Sequence, residues 1–509
     1  MFRVATTPLA APVPPLPVPA GGGVAPALLE AFVPAAGTEE ARAALADPGT
    51  LVVSTGQQPA LFTGPLYTVA KALSAVALAR RLAATWGRRV VPVFWSAGDD
   101  HDFAEAATTA WLDRDGRLRR VTLRERAAGA AMRPLWREPV GAEVRPLLEQ
   151  LRRDLPDGDA GERAHAWLAA HFRPDASLAA AGAGAVAELL APFGMLVLDA
   201  THPAVKRLAW PWLERSLLQG GPLESALASR AAALRAEGAD PGIQVGEGLT
   251  LVMLEGAAGR DRLVRDGTAF VARRSGERHD LVALRRLADA EPERFSANVL
   301  LRPAVERALL PTVAYVAGPG ELRYLPLAEP VYEALGLTRQ RPVPRWSGAV
   351  VDAPADRFLD KFGLTLAEVM AAPGTVEARA VADLMPAPAV AALERLREQV
   401  ALEYEGLRAV APAIDPTLAG FLARLEHRAL GDLDWAERKL RQRLRRRHET
   451  ELRQLRRVLD LLAPEGQPQE RVLTVATFLG RWGPGVLDAL LEACTRWYAG
   501  ALEATPAHA

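Results

Sequence analysis

Two apolar runs, each ending in a polar loop and separated by one helix's worth of residues, constrain this chain most. Leu51-Val52-Val53-Ser54 runs into Thr55-Gly56-Gln57-Gln58 and closes on Thr63-Gly64-Pro65. Val90-Val91-Pro92-Val93-Phe94-Trp95 runs into Gly98-Asp99-Asp100-His101-Asp102. Between them Val69, Leu73, Val76 and Leu82 recur at helical spacing, from about Leu66 to Trp86. Strand, helix, strand predicts a parallel βαβ unit. In such sheets the loops at the carboxyl ends of the strands form the ligand crevice. Both polar clusters are expected to face one site, and a small-molecule enzyme is the first expectation.

The α/β pattern returns twice. Met195-Leu196-Val197-Leu198 ends in Asp199, and Leu310 to Val316 leads into Ala317-Gly318-Pro319-Gly320-Glu321 and a helix through Tyr332. Other segments interrupt it. Ala110-Trp111-Leu112 and residues 118–123 flank Asp113-Arg114-Asp115-Gly116, a hairpin with an Asp-Gly turn signal. Residues 140–190 read as helical, and residues 243–275 form a second β-rich patch. The predicted organisation is a Pro/Gly-rich arm at 1–25, extended or mobile, and an α/β core at 26–372. Insertions lie in the core at about 108–190 and 243–290, and a helical region spans 373–509. In that last region Leu393, Leu396, Val400, Tyr404, Leu407 and Val410 form one run before a Pro-bearing break at 411–416. Leu440, Leu444, Leu452, Leu455, Leu459 and Leu462 form a narrow seam after it. That pattern predicts a helical hairpin packing as a coiled coil, within the chain or across a dimer, with the last segment returning to the core.

The formal net charge is zero, which removes any global argument for nucleic acid or a membrane surface. One cysteine, Cys494, precludes an internal disulfide and a Cys-based metal site; it is expected to be a packed core thiol. No run of about twenty apolar residues lacks charge or proline, so no membrane span is expected. Prolines at 8, 12, 14, 15, 17 and 19 break any signal helix. A cytoplasmic protein is the expectation.

The glycines of the first loop would let backbone approach a ligand, and the helix beginning near Pro65 would favour an anion. Gln57 and Gln58 can donate and accept, or simply satisfy neighbouring backbone. Four consecutive ionisable residues after a buried strand are costly unless they face solvent or a site. His101 could act as acid or base there, with a metal or plain helix capping by Asp99 or Asp102 as rival readings. Gly318-Pro319-Gly320-Glu321 repeats the first loop's geometry, with Tyr324 one turn in. Glu321 suits a helix start. Arg302 could clamp a carboxylate or form an internal salt bridge.

These stretches resemble a known family. Thr55-Gly56-Gln57-Gln58, Leu61 to Thr68 with Lys71-Ala72, Val91 to Trp95 with Gly98 to Phe103, Asn298 to Pro303, and Leu310 to Tyr324 are similar to the BshC family of bacillithiol biosynthesis, cysteine-adding ligases. The resemblance implies a Rossmann-like nucleotide-binding core with connecting insertions and a coiled-coil dimerisation arm. It implies joining L-cysteine to glucosaminyl-malate, with ATP or ADP as partner, in a homodimer; the residues themselves lead one to expect no nucleic acid, membrane or metal partner. The expected site is His101, Asp100, Asp102 and Arg302 for chemistry. His101 would take a proton from the amine or hold a hydroxyl, the two aspartates would orient it or the sugar, and Arg302 would neutralise a carboxylate. Gly56, Gln57, Gln58, Thr63, Gly64, Lys71, Asn298, Gly318, Gly320, Glu321 and Tyr324 would bind substrate or nucleotide. Asp99, Glu306-Arg307 and Leu327 stand where the family pattern leads one to expect Glu, Gln-Asp and Gln. Rival readings are an amino-acid-activating, nucleotidyltransferase-like enzyme with another acceptor, a non-catalytic dimeric ligand-binding scaffold, and a metal hydrolase.

Overall fold

The computed structural model describes residues 1–7, 9, 11–18, 21–376 and 385–503. At its centre are five parallel strands: β1 (Leu51–Gln57), β2 (Val90–Ser96), β3 (Leu196–Asp199), β4 (Thr312–Ala317) and β5 (Arg341–Pro344). Their order is β5-β4-β1-β2-β3. β1 is buried from Leu51 to Gly56 because it is covered on both faces, which is why its sequence is a continuous apolar run rather than an alternating one. The chain steps from β1 outward to β2 and β3, then returns to the other side of β1 for β4 and β5. The order therefore reverses between β1 and β4, the switch point at which doubly wound α/β folds bind ligands. The Thr55 hydroxyl donates to the Val316 carbonyl at 2.9 Å across that point.

The helix Tyr67–Trp86 follows β1 as its spacing predicts, and ends at Gly87 with φ +62°, a left-handed cap. The final helix, Gly485–Glu503, packs against it and brings Cys494 Sγ to 3.8 Å from Ser74 Oγ in the core. The segment before that helix is tied in by polar contacts. The Gln469 side chain exchanges hydrogen bonds with the Val350 backbone at 2.8 and 2.9 Å, and Thr474 N–H donates to Ala110 O at 2.8 Å.

The insertions carry antiparallel structure. Strands Thr108–Leu112 and Leu118–Thr122 form the expected hairpin, whose turn is fixed by Asp113 Oδ1 accepting from the N–H groups of Asp115 and Arg117. A five-stranded antiparallel sheet runs in the order 278–280, 269–272, 259–266, 249–256, 295–297. Helices Val144–Asp154, Asp159–His171 and Leu178–Leu190 occupy the stretch read as helical.

Two compact units result: residues 1–351 with 469–509, and residues 352–468. The second begins before the change of composition near 373. Asp352 caps the helix Ala353–Phe362 by accepting from Ala355 N–H at 2.8 Å, and that helix packs on Glu449–Leu462. Helices Ala387–Ile414 and Leu418–Arg447 form the helical hairpin. Arg397 bridges them to Asp434 and Glu437 at 2.8 and 2.6 Å. Pro412 lies inside the first helix rather than in the turn. It is two residues from the end, so its missing N–H disturbs only the last turn. The leucine seam is interrupted at His448, where one helix stops and the next starts.

The segment read as an extended or mobile arm begins as an extended, paired strand. Phe2–Thr6 pairs with Gly348–Asp352, Trp346 Nε1 donates to Thr6 Oγ1 at 3.0 Å, and the Phe2 ring lies 4.8 Å from that of Trp482. Of the segment read as an arm, Pro8, Ala10, Pro19 and Ala20 lie outside the described residues, as do 377–384 and 504–509 of the C-terminal region. Among the described residues no helix is long and apolar enough to cross a membrane.

Candidate functional site

A cavity of about 340 Å³ opens at the carboxyl ends of β1, β2 and β4, where the sheet order reverses. The end of β1 supplies Gly56 and Gln57 and the loop after it Gln58; the loop after β2 supplies Asp99 and Asp100; the turn after β4 and the helix start that follows supply Gly318, Gly320 and Glu321. Lys71, Asn298, Arg302 and Tyr324 also line it. Tyr67, Lys206, Arg260, Tyr315, Arg345 and Arg471 also belong to the polar wall; Tyr67 and Tyr315 lie in the stretches that carry the resemblance, whereas the sequence assigns the other four no site role.

One side is an ion-pair network. Lys71 Nζ donates to Glu321 Oε2 at 2.7 Å and to Gly56 O at 2.6 Å. Glu321 also accepts from Tyr315 Oη at 2.6 Å and from Gly318 N–H at 2.7 Å. Burial alone would raise the Glu321 pKa; Lys71, the Gly318 N–H and Tyr315 outweigh it and hold the carboxyl below its ordinary value. Burial pulls the Lys71 ammonium down against the opposing pull of Glu321. Burial first, then Glu321, pushes the Tyr324 hydroxyl up to about 12, so it is a neutral donor. Arg302 sits 4.9 Å from the Tyr315 ring centroid and donates to Glu306 Oε2 at 2.7 Å. Glu306 is fully buried and also accepts from the Ser54 hydroxyl. The residue that departs from the expected pattern at 306 is thus the partner of a cavity arginine. Leu327 is buried in the apolar core, with no polar role.

The opposite side is built by the antiparallel insertion and the helix Pro203–Leu218. Lys206 Nζ meets Asp99 Oδ1 at 2.5 Å and Phe295 O at 3.0 Å. Arg260 donates to Ser296 Oγ at 2.9 Å and Ala297 O at 2.7 Å, and contacts His101 Nδ1 at 3.2 Å. Arg260 has no carboxylate within ion-pair distance among the described residues, and neither has Arg471. Asn298 spends Oδ1 on the N–H groups of Leu300 and Leu301 at 3.0 Å each. Its Nδ2 is buried with no hydrogen-bond partner. A buried donor of that kind costs about 1–3 kcal/mol unless something fills its valence. Two arginines without carboxylates and an unanswered amide N–H suit an anionic oxygen ligand. Asp100 is the available base: Oδ1 accepts from His101 and Asp102 N–H at 2.7 and 3.2 Å, leaving Oδ2 for a ligand.

Four expected residues lie elsewhere. His101 stands behind Arg260 and does not line the cavity; burial first, then Arg260, lowers its pKa, so it is neutral near pH 7. Asp102 caps the short helix after it, accepting from Glu105 N–H at 3.1 Å. Thr63 and Gly64 form a left-handed turn, with φ +68° and +70°. At the start of the helix Tyr67–Trp86 two N–H groups are already taken, Leu66 N–H by Leu473 O at 2.8 Å and Thr68 N–H by Pro65 O at 3.0 Å. At the third loop Glu321 takes the Gly318 N–H in the same way. Gly56 is needed for a different reason from ligand approach: a Cβ there would come 2.9 Å from Trp95 O on the neighbouring strand. Gly320 has open space around it, as a loop facing a ligand requires. Among the described residues no cluster of three His, Cys, Asp or Glu could hold a metal ion.

The sequence profile described as "Bacillithiol biosynthesis BshC, N-terminal Rossmann-like domain" matches residues 29–346. The profile "Bacillithiol biosynthesis BshC, C-terminal coiled-coil domain" matches residues 349–497. A protein of Heliobacterium modesticaldum is 31% identical over 89% of this chain and 83% of its own length. One of Salinibacter ruber is 32% identical over 88% and 82%, and one of Bacillus cytotoxicus 27% identical over 89% and 84%. Each of these relatives bears the name "Putative cysteine ligase BshC".

Proposed function

The chain belongs to the BshC family of bacillithiol biosynthesis, and from that premise we propose that it is a ligase joining the carboxyl group of L-cysteine to the amine of glucosaminyl-malate. The observation that carries this reading is the mixed polarity of the cavity. Arg260 and the Asn298 amide present donors without carboxylate partners, which suit the malyl carboxylates, and Arg471 presents another for the carboxylate of cysteine. Asp100 presents a carboxylate oxygen to the amine.

In this reading the amine loses a proton to Asp100 Oδ2 as it attacks. Arg260 holds a substrate carboxylate, and His101 holds Arg260. Thus His101 positions a binding group rather than touching the substrate. Arg302, fixed by Glu306, adds positive potential on the side of the Gly318–Gly320 loop.

A carboxylate is a poor acyl donor, so a nucleotide fits the chemistry. We propose ATP or ADP, held by Arg302 and the open backbone at Gly320. When bound it would supply the phosphoryl group that makes the carboxyl oxygen able to leave. We also propose that a second copy covers the helical hairpin, where Leu402, Leu407, Val410 and Ile414 are exposed on Ala387–Ile414. Sedimentation should give a dimer for the native chain and a monomer for Leu402→Lys with Leu407→Lys. A dimer in both would remove this interface.

Thiol analysis of cells lacking the protein tests the main reading. Glucosaminyl-malate should accumulate and bacillithiol disappear. Unchanged bacillithiol, with no second enzyme for the step, would refute it. An amino-acid-activating enzyme with another acceptor would instead show cysteine-dependent pyrophosphate exchange without glucosaminyl-malate.

A further inference from the structure

A second cavity, of about 270 Å³, shares Gln57, Gln58, Tyr67 and Arg471 with the first and is otherwise lined by different residues. Among the polar groups that only this cavity has are Glu105, on the short helix after β2, Thr109, on the strand Thr108–Leu112, and Arg120, on the strand Leu118–Thr122. Thr109 is only 4% exposed, and its hydroxyl has no hydrogen-bond partner. The adjacent Thr108 hydroxyl, by contrast, reaches Ala104 O at 3.0 Å and Thr122 Oγ1 at 3.1 Å. An unanswered buried hydroxyl in a cavity wall calls for a ligand or water.

The charges are arranged across this small space. Desolvation first, then Asp102, raises the Glu105 pKa against the opposing pull of Gln58 and Arg471, so a further cation beside it would favour its charged form. Arg471 has neither a hydrogen bond nor an ion pair among the described residues and belongs to both linings. Tyr67 Oη accepts from Gln57 Nε2 at 3.2 Å and keeps its own proton to donate. The remaining wall is mixed: Thr68, Thr108 and Arg120 are polar, and Ala60, Pro65, Ala104 and Val472 are small and apolar.

We infer that this second cavity binds an α-amino acid as its zwitterion, with the ammonium on Glu105, the carboxylate on Arg471 and a short side chain toward Thr109. The choice of L-cysteine as the occupant rests on the ligase reading above. A carboxylate held by Arg471 stands at the boundary with the first cavity, where the acceptor amine would be. Two substrates would thus enter separate pockets and meet at the residues common to both.

Calorimetric titration of the full-length protein tests this. L-cysteine should bind, while N-acetyl-L-cysteine, lacking the ammonium, and cysteamine, lacking the carboxylate, should each bind at least about tenfold more weakly. These ligand comparisons need no variant. Glu105→Gln should weaken L-cysteine by about tenfold or more and leave glucosaminyl-malate binding unchanged. Thr109→Val should weaken L-cysteine without lowering the melting temperature, because it removes an unsatisfied hydroxyl. Failure of L-cysteine to bind, equal binding of the three ligands, or unchanged binding by Glu105→Gln would overturn the assignment. Product formation with cysteine-insensitive Glu105→Gln would remove this site but leave the ligase reading. Loss of cysteine binding in that variant, with no product from the native protein, would do the reverse.

Discussion

The Lys71 ammonium stands 2.7 Å from the Glu321 carboxylate, joining the helix that follows β1 to the loop that follows β4. The pair closes the sheet's switch point from below, and neither charge is free for chemistry. Lys71 is 2% exposed and Glu321 19%. Removing one partner of such a pair strands the other in a poorly solvated place. Lys71→Met should therefore destabilise the protein by about 3–5 kcal/mol. Combining Lys71→Met with Glu321→Leu should cost less than the sum of the single changes, measured by denaturant unfolding. Additive losses would mean that the two side chains act independently.

Arg260 is the cavity's principal anion holder, since its bonds go to Ser296, Ala297 and His101 rather than to a carboxylate. Arg260→Met should raise KM for the acidic acceptor by about tenfold or more, with a smaller change in kcat. Arg260→Lys should rescue little, because an ammonium cannot reproduce the fork that reaches three partners at once. An unchanged KM in Arg260→Met would place the acceptor elsewhere.

His101 makes stability depend on acid. Its pKa lies below the ordinary histidine value because burial, then Arg260, disfavours the imidazolium. As pH falls below about 6.5, the unfolded chain binds a proton there before the folded protein does. Stability therefore falls with pH in that interval and is retained above it. His101→Gln should lose less of its melting temperature than the native protein between pH 7.5 and pH 5.5. Equal losses would show that this imidazole is not held neutral. The same variant should raise KM through Arg260; a fall in kcat of about 100-fold with KM unchanged would restore His101 as a proton acceptor.

The parallel core and three of its loops are legible in the sequence because buried parallel strands leave uninterrupted apolar runs, and their ends are marked by glycine or charge. Gly56 shows the limit of that logic. A glycine after a strand suggests approach to a ligand, whereas here the demand comes from Trp95 on the adjacent strand. Asp99 to Asp102 reads as one cluster, but the tight turn sends only the first two toward the cavity and turns Asp102 into a helix cap. Arg260, Lys206 and Arg471 carry no local signal. They come from an antiparallel insertion, the helix after β3 and the C-terminal segment, and only the tertiary fold brings them together. Lys206 had one hint, being among four lysines in the whole chain. The i,i+4 spacing of Arg302 and Glu306 on one helix allows their pairing but does not require it.

Reconstitution is the most direct measurement. Purified protein given L-cysteine, glucosaminyl-malate and ATP should form bacillithiol, identified by mass, and Asp100→Asn should slow it by about 100-fold or more. If ATP, ADP and other nucleoside triphosphates all fail to give bacillithiol with a folded protein that binds both substrates, the ligase reading is wrong.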